Sequence, residues 1–343
     1  MRIVLVLPCC IGDVVLGTAV LTALRRAYPQ AHIAWAVGEW SAQAVANHPH
    51  VDELIDTGRA ALPLYNLTDF WRFVGKLRAG CYDLMVSLVR SPLMSLAALA
   101  SGIPQRAGLD SGGRGFGYTH RARVDPHQVR HESEIYLETC RVLGLNTQNA
   151  TPNVPLDAQA RQQVRALLDE RGLRRPYIVL NPGGGVNPGM TLSAKRYPIP
   201  WLAEIGLTLA QENNAALVLL GGPDDGALLE VLRSAIGCDW PMLSLAGRLS
   251  FPQIGALAYD SLLYLGNDSG LTHYASAIGA PTVMLLGPTD PRRYGPAGPN
   301  SLALWKPWQA DARGVSAGVQ NWDWECDGLR PEAALAELRA WLG

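Results

Sequence analysis

The residues best suited to chemistry lie between Gly266 and Pro291. Gly266-Asn267-Asp268-Ser269-Gly270-Leu271-Thr272-His273 is followed by Ala280-Pro281-Thr282-Val283 and Gly287-Pro288-Thr289-Asp290-Pro291. An apolar run, Leu262 to Leu265, ends in this polar turn; a short helix is expected next, then a second apolar run, Pro281 to Leu286. Backbone N–H groups at a helix N-terminus are unpaired and point outward, and the helix dipole favours negative charge there. Ser269 is a favoured N-cap, Gly270 lets a ligand approach the backbone, Asp268 can bind hydroxyls, and His273 falls in the first turn. The unit suits a phosphorylated, hydroxyl-rich ligand such as a nucleotide sugar.

Other residues could act with it. Asp13 follows Gly12 in a loop expected directly after the first strand, Arg2–Leu7. A carboxylate there can take the proton of an acceptor hydroxyl; Asp is equally a favoured N-cap for the helix expected from Val14. Lys195 is one of three lysines among 29 Lys and Arg. A compact ammonium in a Gly/Pro loop suits a diphosphate leaving group, and the alternative is a solvated surface charge. Gly183-Gly184-Gly185 could bring backbone amides to phosphate. It is neither a G-x-G-x-x-G leading into a helix nor a P-loop, which disfavours a dinucleotide-dependent oxidoreductase and a P-loop NTPase. Asp224-Asp225 follow a strand end, where an acid can bind ribose hydroxyls or cap the next helix.

Taken together, Asp268-Ser269-Gly270-Leu271-Thr272-His273, Ala280-Pro281-Thr282 and Gly287-Pro288-Thr289-Asp290-Pro291 resemble the donor-site signature of the heptosyltransferase family of glycosyltransferases. The start agrees: Met1-Arg2-Ile3-Val4-Leu5-Val6, then Ile11-Gly12-Asp13-Val14-Val15 and Thr18, is similar to the family's opening strand and G-D loop. Asn181-Pro182-Gly183 through Ala194-Lys195-Arg196-Tyr197-Pro198 is similar to its P-G…K-R-W-P segment. The three blocks stand in register over nearly the whole chain.

The resemblance implies an α/β protein of the glycosyltransferase B (GT-B) fold, with two doubly wound Rossmann-like domains facing a central cleft. It makes Asp13 the general base. It puts Lys195 on the donor phosphate, with Thr191 where the family often has a phosphate-binding hydroxyl. Asp268, Ser269, Gly270 and His273 complete the donor site. Asp225 is the nearest match to a family glutamate, and Leu249 to a residue packing on the donor base, although core packing explains an apolar residue there equally well. The implied reaction is inverting and metal-independent, without a cofactor. It moves a sugar from a nucleotide-diphosphate donor, ADP-heptose by resemblance, to a lipopolysaccharide core or related surface glycan. Two rivals are a sugar-nucleotide epimerase on the same fold and a non-catalytic nucleotide-sugar-binding protein. The chain departs from the family at Cys9-Cys10-Ile11, where small hydroxyl residues are frequent. It departs again at Tyr197, where tryptophan is frequent, and in keeping only Cys326 of a late cysteine cluster.

A length of 343 residues suggests two domains. They are expected at 1–150, acceptor-binding with the base, and 151–343, nucleotide-sugar-binding. Asn146–Pro155 reads as the linker, and the last helix, 331–343, is free to pack back on the first domain. Hydrophobic residues make up 48% and charged residues 17%, enough for a large core, yet no apolar stretch reaches the ~20 residues a membrane span needs. The apolar start is too short for a signal peptide and reads as a buried parallel strand. The cysteines at 9, 10, 81, 140, 238 and 326 form no C-x-x-C pair, so reduced cytoplasmic thiols and no metal site are expected. A net charge of −1 argues against nucleic acid. The charge is uneven: Arg90, Arg106, Arg114, Arg121, Arg123 and Arg130 face only Asp110 and Asp125 between residues 90 and 130. Arg106, Arg114, Arg121 and Arg123 are either a solvated surface or the contact for an anionic glycan or glycolipid acceptor or the cytoplasmic face of the inner membrane.

Strands and helices alternate, which argues for parallel sheets covered on both faces. Strands are expected at Ile33–Val37, Glu53–Asp56 and Leu84–Ser87, and helices at Val14–Tyr28, Ser41–Asn47, Asp69–Ala79 and Pro92–Ser101. Gly108–Tyr118 reads as a mobile glycine-rich loop, and His131–Gly144 as a helix. The pattern restarts with helix Ala158–Arg171, strand Tyr177–Asn181, helix Ile199–Asn213 and strand Ala216–Leu220. Helices Asp225–Ile236 and Phe251–Ala258 follow. Gly287–Asp327 reads as Pro- and Trp-rich coil, and Pro331–Leu342 as a closing helix.

Overall fold

The structure, a computed structural model, describes residues 1–59, 62, 66–308 and 322–343. They form two compact units, one of Met1–Val154 with Asn187–Gly189, the other of Pro155–Val186 with Met190–Gly343.

The first unit contains strands β1 (Arg2–Val6), β2 (His32–Val37), β3 (Glu53–Asp56), β4 (Leu84–Ser87), β5 (Gln105–Asp110) and β6 (His120–Arg123). Its helices are α1 (Ile11–Ala27), α2 (Glu39–Ala42), α3 (Leu67–Ala79), α4 (Pro92–Ser101) and α5 (Glu132–Arg141). The sheet order is β3-β2-β1-β4-β5-β6, with every neighbour parallel. Ile-Val-Leu-Val in β1 is buried on both faces, as a central parallel strand requires. Val4, Val6, Ala34 and Ala36 pack with Phe70, Phe73, Val74 and Leu77 of α3 and Met94, Ala97 and Ala98 of α4. Trp35 points to the other face, where Gly17 of α1 leaves room for its ring.

Three expectations change here. Residues 43–47 are not helical, because Ala44 and Val45 bond back three residues, to Ser41 and Ala42, at 3.1 Å, a tighter turn than an α-helix makes. The glycine-rich 108–118 segment is not a mobile loop. Its first residues complete β5, and its turn is pinned: Gly115 donates to Asp110 Oδ1 at 2.9 Å, Gly117 to Ser95 Oγ at 2.6 Å, and Tyr118 Oη to Ser87 Oγ at 3.0 Å. A Cβ on Gly117 would lie 1.9 Å from the Ser95 carbonyl, so this glycine serves close packing. Cys9 and Cys10 are joined by a disulfide instead of being two thiols; adjacency in the chain brings the sulfurs within bonding reach.

The chain leaves this unit through Asn153, whose N–H donates to Thr18 Oγ1 at 2.9 Å. Its carbonyl lies 3.1 Å from His48 Nε2, and His48 Nδ1 accepts from the His50 N–H at 3.2 Å. Both ring nitrogens are thereby used by the neutral imidazole. Burial lowers the His48 pKa to about 4, against the opposing Asn153 carbonyl and helped by His50. Between that value and 6.5 the unfolded chain binds the proton and the folded one does not, so stability falls as pH drops through this window. We expect a loss of roughly 3 kcal/mol across it. Melting temperature measured from pH 7 to 4.5 should fall less steeply in His48→Gln; parallel curves would assign the acid sensitivity elsewhere.

In the second unit the strands are β7 (Tyr177–Asn181), the two-residue β9 (Met190–Thr191), β10 (Ala216–Leu219), β11 (Met242–Ser244), β12 (Leu263–Asn267), β13 (Thr282–Leu286) and β14 (Ser301–Trp305), while the two-residue β8 (Val186–Asn187) has one residue in each unit. The helices are α6 (Ala158–Glu170), α7 (Ile199–Glu212), α8 (Gly226–Ile236), α9 (Phe251–Tyr259), α10 (Gly270–Ala277), α11 (Pro291–Tyr294), α12 (Trp324–Asp327) and α13 (Pro331–Leu342). The parallel order β11-β10-β7-β12-β13-β14 repeats that of the first unit. Helices α7, α8 and α13 share one core, and α6 and α9 the other. The last helix therefore uses its apolar side, Ala334, Leu335 and Leu338, within the second unit.

The expected coil from Gly287 holds α11, the edge strand β14 and α12; residues 309–321 lie outside the described ones. In β14 Leu302 and Ala303 are half-buried and Leu304 is buried; so short an apolar run does not by itself mark a strand, and among the described residues its strand partner is β13. Among the described residues no helix is long and apolar enough to cross a membrane.

Candidate donor site and candidate base

Parallel strands end on one edge of their sheet, so the loops after β7, β10, β12 and β13 meet there. Two buried amides organise them. Asn181 Oδ1 accepts from the Gly183 N–H at 3.0 Å. Asn267 donates to the Pro182 and Gly183 carbonyls at 2.8 and 3.1 Å and accepts from the Tyr197 N–H at 2.9 Å. The glycine loop runs between the acid after β10 and the start of α10. A Cβ on Gly183 would lie 2.4 Å from Asp225 Oδ2, and one on Gly184 3.1 Å from Ser269 Cβ. Ser269 caps α10, accepting from the Thr272 N–H at 3.3 Å. Gly270 and Leu271 stand in the first turn, whose N–H groups have no partner within the helix.

Lys195 ends a 3₁₀ turn, Ser193–Lys195, and its Nζ lies 2.7 Å from Asp268 Oδ2. The side chain is only 15% exposed, so it is not a solvated surface charge. Thr289 Oγ1 donates to the same oxygen at 2.6 Å, and His273 Nε2 lies 3.7 Å from Oδ1. Burial pushes the Asp268 carboxyl up. The Lys195 ammonium and then His273 outweigh that and hold it well below the usual carboxylate range. An ionised Asp268 fixes Lys195 by one contact, and an ammonium has three N–H donors, so it can meet a phosphate oxygen as well.

Lys195, Asp268, Ser269, Gly270 and His273 thus come together around the glycine loop. Asp225 joins them: its carboxylate does not cap α8 but accepts from the Gly222 N–H at 2.8 Å, facing Gly183, whereas Asp224 is exposed. Leu249 packs half-buried on the α6–α9 core, which accounts for its apolar character. Thr191 is exposed on β9 and makes no side-chain hydrogen bond among the described residues. Sequence reasoning does not single out Asn181, Asn267 or Thr289. Each stands inside one of the three motif blocks, but only the strand ends reveal what their amides and hydroxyl hold.

Asp13 lies in the first unit, and not in a loop: α1 begins at Ile11, putting Asp13 in its first turn. The helix starts this early because the Cys10 carbonyl already accepts from the Val14 N–H at 2.8 Å. The Cys10 N–H reaches Asp13 Oδ2 at 3.4 Å, a capping contact. Tyr136 Oη of α5 donates to Oδ1 at 2.8 Å. One turn earlier on α5, the buried Glu132 is ion-paired with Arg90. In the sequence Tyr136 is legible only as part of a helix; 123 residues separate it from Asp13.

The four arginines split into two kinds. Arg106 donates to the Gly117 carbonyl at 2.8 Å and also to that of Ile103; Arg121 donates to the Phe116 carbonyl at 2.9 Å. Both help to close the 111–118 turn. Arg114 and Arg123 are exposed and make no side-chain hydrogen bond or ion pair among the described residues. Arg114→Glu/Arg123→Glu should raise the Michaelis constant for an anionic acceptor and flatten its salt dependence, with donor binding unchanged. Acceptor kinetics at low and high salt check this; equal salt slopes would make both ordinary surface charge.

Two all-parallel sheets of the same 3-2-1-4-5-6 type, each with helices on both faces, define an α/β protein of the GT-B class. The family description "Glycosyltransferase family 9 (heptosyltransferase)" matches residues 70–317, and the chain belongs to that family. It is 24% identical over 298 residues to lipopolysaccharide heptosyltransferase 3 of Escherichia coli, covering 86% of each chain. Its fold matches the crystal structure of a family 9 glycosyl transferase from Veillonella parvula with a TM-score of 0.84, at 23% identity over 99% of this chain and 97% of that one. It matches E. coli ADP-heptose lipopolysaccharide heptosyltransferase II with a TM-score of 0.77, at 24% identity over 100% and 98%.

Proposed function

We propose that this glycosyltransferase moves heptose from ADP-heptose to a hydroxyl of a lipopolysaccharide core or related surface glycan, with inversion and without a metal. The observation that carries this reading is the Lys195–Asp268 pair beside the glycine loop at the start of α10. Such a site offers an ammonium and unpaired backbone N–H groups to a diphosphate. The names of the relatives supply the heptose and the lipopolysaccharide.

In this reading residues 1–150 bind acceptor and 151–343 bind donor. Asp13 takes the proton of the acceptor hydroxyl as its oxygen attacks the anomeric carbon. The bond from that carbon to the diphosphate oxygen breaks, and the nucleoside diphosphate leaves. Lys195, Thr191 and the N–H groups near Ser269 and Gly270 receive the charge that develops on it. Asp225 takes ribose hydroxyls, Leu249 lies against the base, and Asp268 and His273 orient the sugar and Lys195. The acceptor would be met at the cytoplasmic face of the inner membrane.

The test is incubation with ADP-heptose, with and without core-truncated lipopolysaccharide and with and without EDTA. The expected outcome is acceptor-dependent ADP release, a heptosylated product of inverted anomeric configuration, and no loss with EDTA. An altered sugar nucleotide formed from donor alone would make the chain an epimerase. Donor binding without turnover on any glycan acceptor would make it a binding protein.

A further inference from the structure

The outward side of α4 carries no charge. Its exposed positions are Pro92, Leu93, Leu96 and Leu99, with the leucines 47, 40 and 51% exposed. Residues at this spacing share one side of a helix, and the opposite side, Met94, Ser95, Ala97 and Ala98, is buried. A surface helix ordinarily turns polar and charged residues outward. Contiguous large apolar side chains there mark an interaction surface, unlike scattered single ones.

Neighbouring elements extend the patch and rim it with cations. α3 lies beside α4, and Arg78 donates to the Ala100 carbonyl at 2.7 and 3.1 Å. Trp71, 54% exposed, precedes Arg78 by two helical turns and so lies on the same line of α3. The 111–118 turn is hydrogen-bonded to α4 at Ser95 and carries Phe116, 45% exposed. Arg121 holds the Phe116 carbonyl. Of the ten Arg and Lys from Arg59 to Arg130, Arg59, Arg72, Arg90 and Arg130 are ion-paired with Glu39, Asp69, Glu132 and Glu138, whereas Arg78 and Arg121 are exposed and make no ion pair among the described residues.

We propose that this face, Leu93, Leu96, Leu99, Trp71 and Phe116 with Arg78 and Arg121 at its rim, docks the protein on an anionic lipid bilayer. Leucine and aromatic side chains enter the boundary between headgroups and acyl chains, and arginines stay at the level of the phosphates. An apolar centre with a cationic rim is complementary to an anionic leaflet. The surface deepens the glycolipid-acceptor reading and rests on it for its biological purpose, but lipid binding tests it without any acceptor.

Full-length protein is mixed with sedimenting vesicles of phosphatidylglycerol and phosphatidylethanolamine, or of phosphatidylcholine alone. Wild type should pellet with the anionic vesicles, and at least ~tenfold more weakly with the neutral ones or at high salt. Leu93→Glu/Leu96→Glu/Leu99→Glu should lower partitioning at least ~tenfold while ADP binding and helical content stay unchanged. Arg78→Glu/Arg121→Glu should weaken it and remove its salt dependence. Equal partitioning of wild type and the leucine variant, or none by either, overturns the proposal. So does self-association of wild type that the leucine variant loses without any vesicle binding, which would place a second copy on this face. If wild type binds ADP but no vesicles, the docking face is rejected and glycosyl transfer stands. If it binds vesicles but no ADP, the docking face stands and the donor-site reading fails.

Discussion

Asp13→Asn should lower turnover by about 10²–10⁴-fold and leave donor affinity nearly intact, the loss expected if Asp13 is the general base and is made an amide. The substitution keeps the shape of the side chain, and its carbonyl oxygen can still accept from the Tyr136 hydroxyl or the Cys10 N–H. Helix α1 should therefore keep its start, and melting temperature should change little. That separates the two roles open to this residue. A helix cap that matters only structurally would leave turnover near wild type in a folded variant. Tyr136→Phe supplies a finer test of positioning. Without the phenol one oxygen of Asp13 is held less firmly. Turnover should then fall, with a smaller loss of rate than in Asp13→Asn. Steady-state kinetics, paired with ADP titrations, read both outcomes.

Lys195→Ala should weaken ADP and ADP-heptose together, by roughly 10–100-fold, because a charge-assisted contact to phosphate is worth about 1.5–3 kcal/mol. Its second consequence is structural. Among the described residues the buried Asp268 would keep the Thr289 hydroxyl and His273, and breaking a buried pair from one side costs about 3–5 kcal/mol, here nearer the lower figure because Lys195 is 15% exposed. Asp268→Asn in the Lys195→Ala background removes the uncompensated charge. It should recover part of the melting temperature and none of the ADP affinity. Lys195→Arg should restore little ADP affinity, since a longer, planar guanidinium places its charge and donors differently from the compact ammonium it replaces. Calorimetric titration of ADP into the folded variants checks the assignment: an unchanged dissociation constant in Lys195→Ala would remove Lys195 from the phosphate site.

The sequence by itself determined the alternation of apolar runs and helical stripes. Leu84–Ser87, Tyr177–Asn181, Pro92–Ser101 and Pro331–Leu342 have their ends where the residues placed them, because proline starts, polar caps and buried runs are local signals. It also made the capped helix start in the Gly266–His273 turn legible, since a capping serine and a glycine before a helix act within a few residues. Tertiary structure decided the rest, wherever a partner far along the chain supplies the missing half of an interaction. The glycines at 108–118 read as freedom, yet Gly117 is required by the carbonyl of Ser95, 22 positions away. Strand β14 exists because β13 gives it hydrogen bonds, not because its own pattern asks for a strand. Arg106 and Arg121 count as charges in the sequence; in the fold their guanidiniums close a turn. Lys195 and Asp268, 73 residues apart, each stand out separately in the sequence. Only the fold makes them one buried pair, and burial is what turns two ordinary charges into a fixed ammonium facing the start of α10.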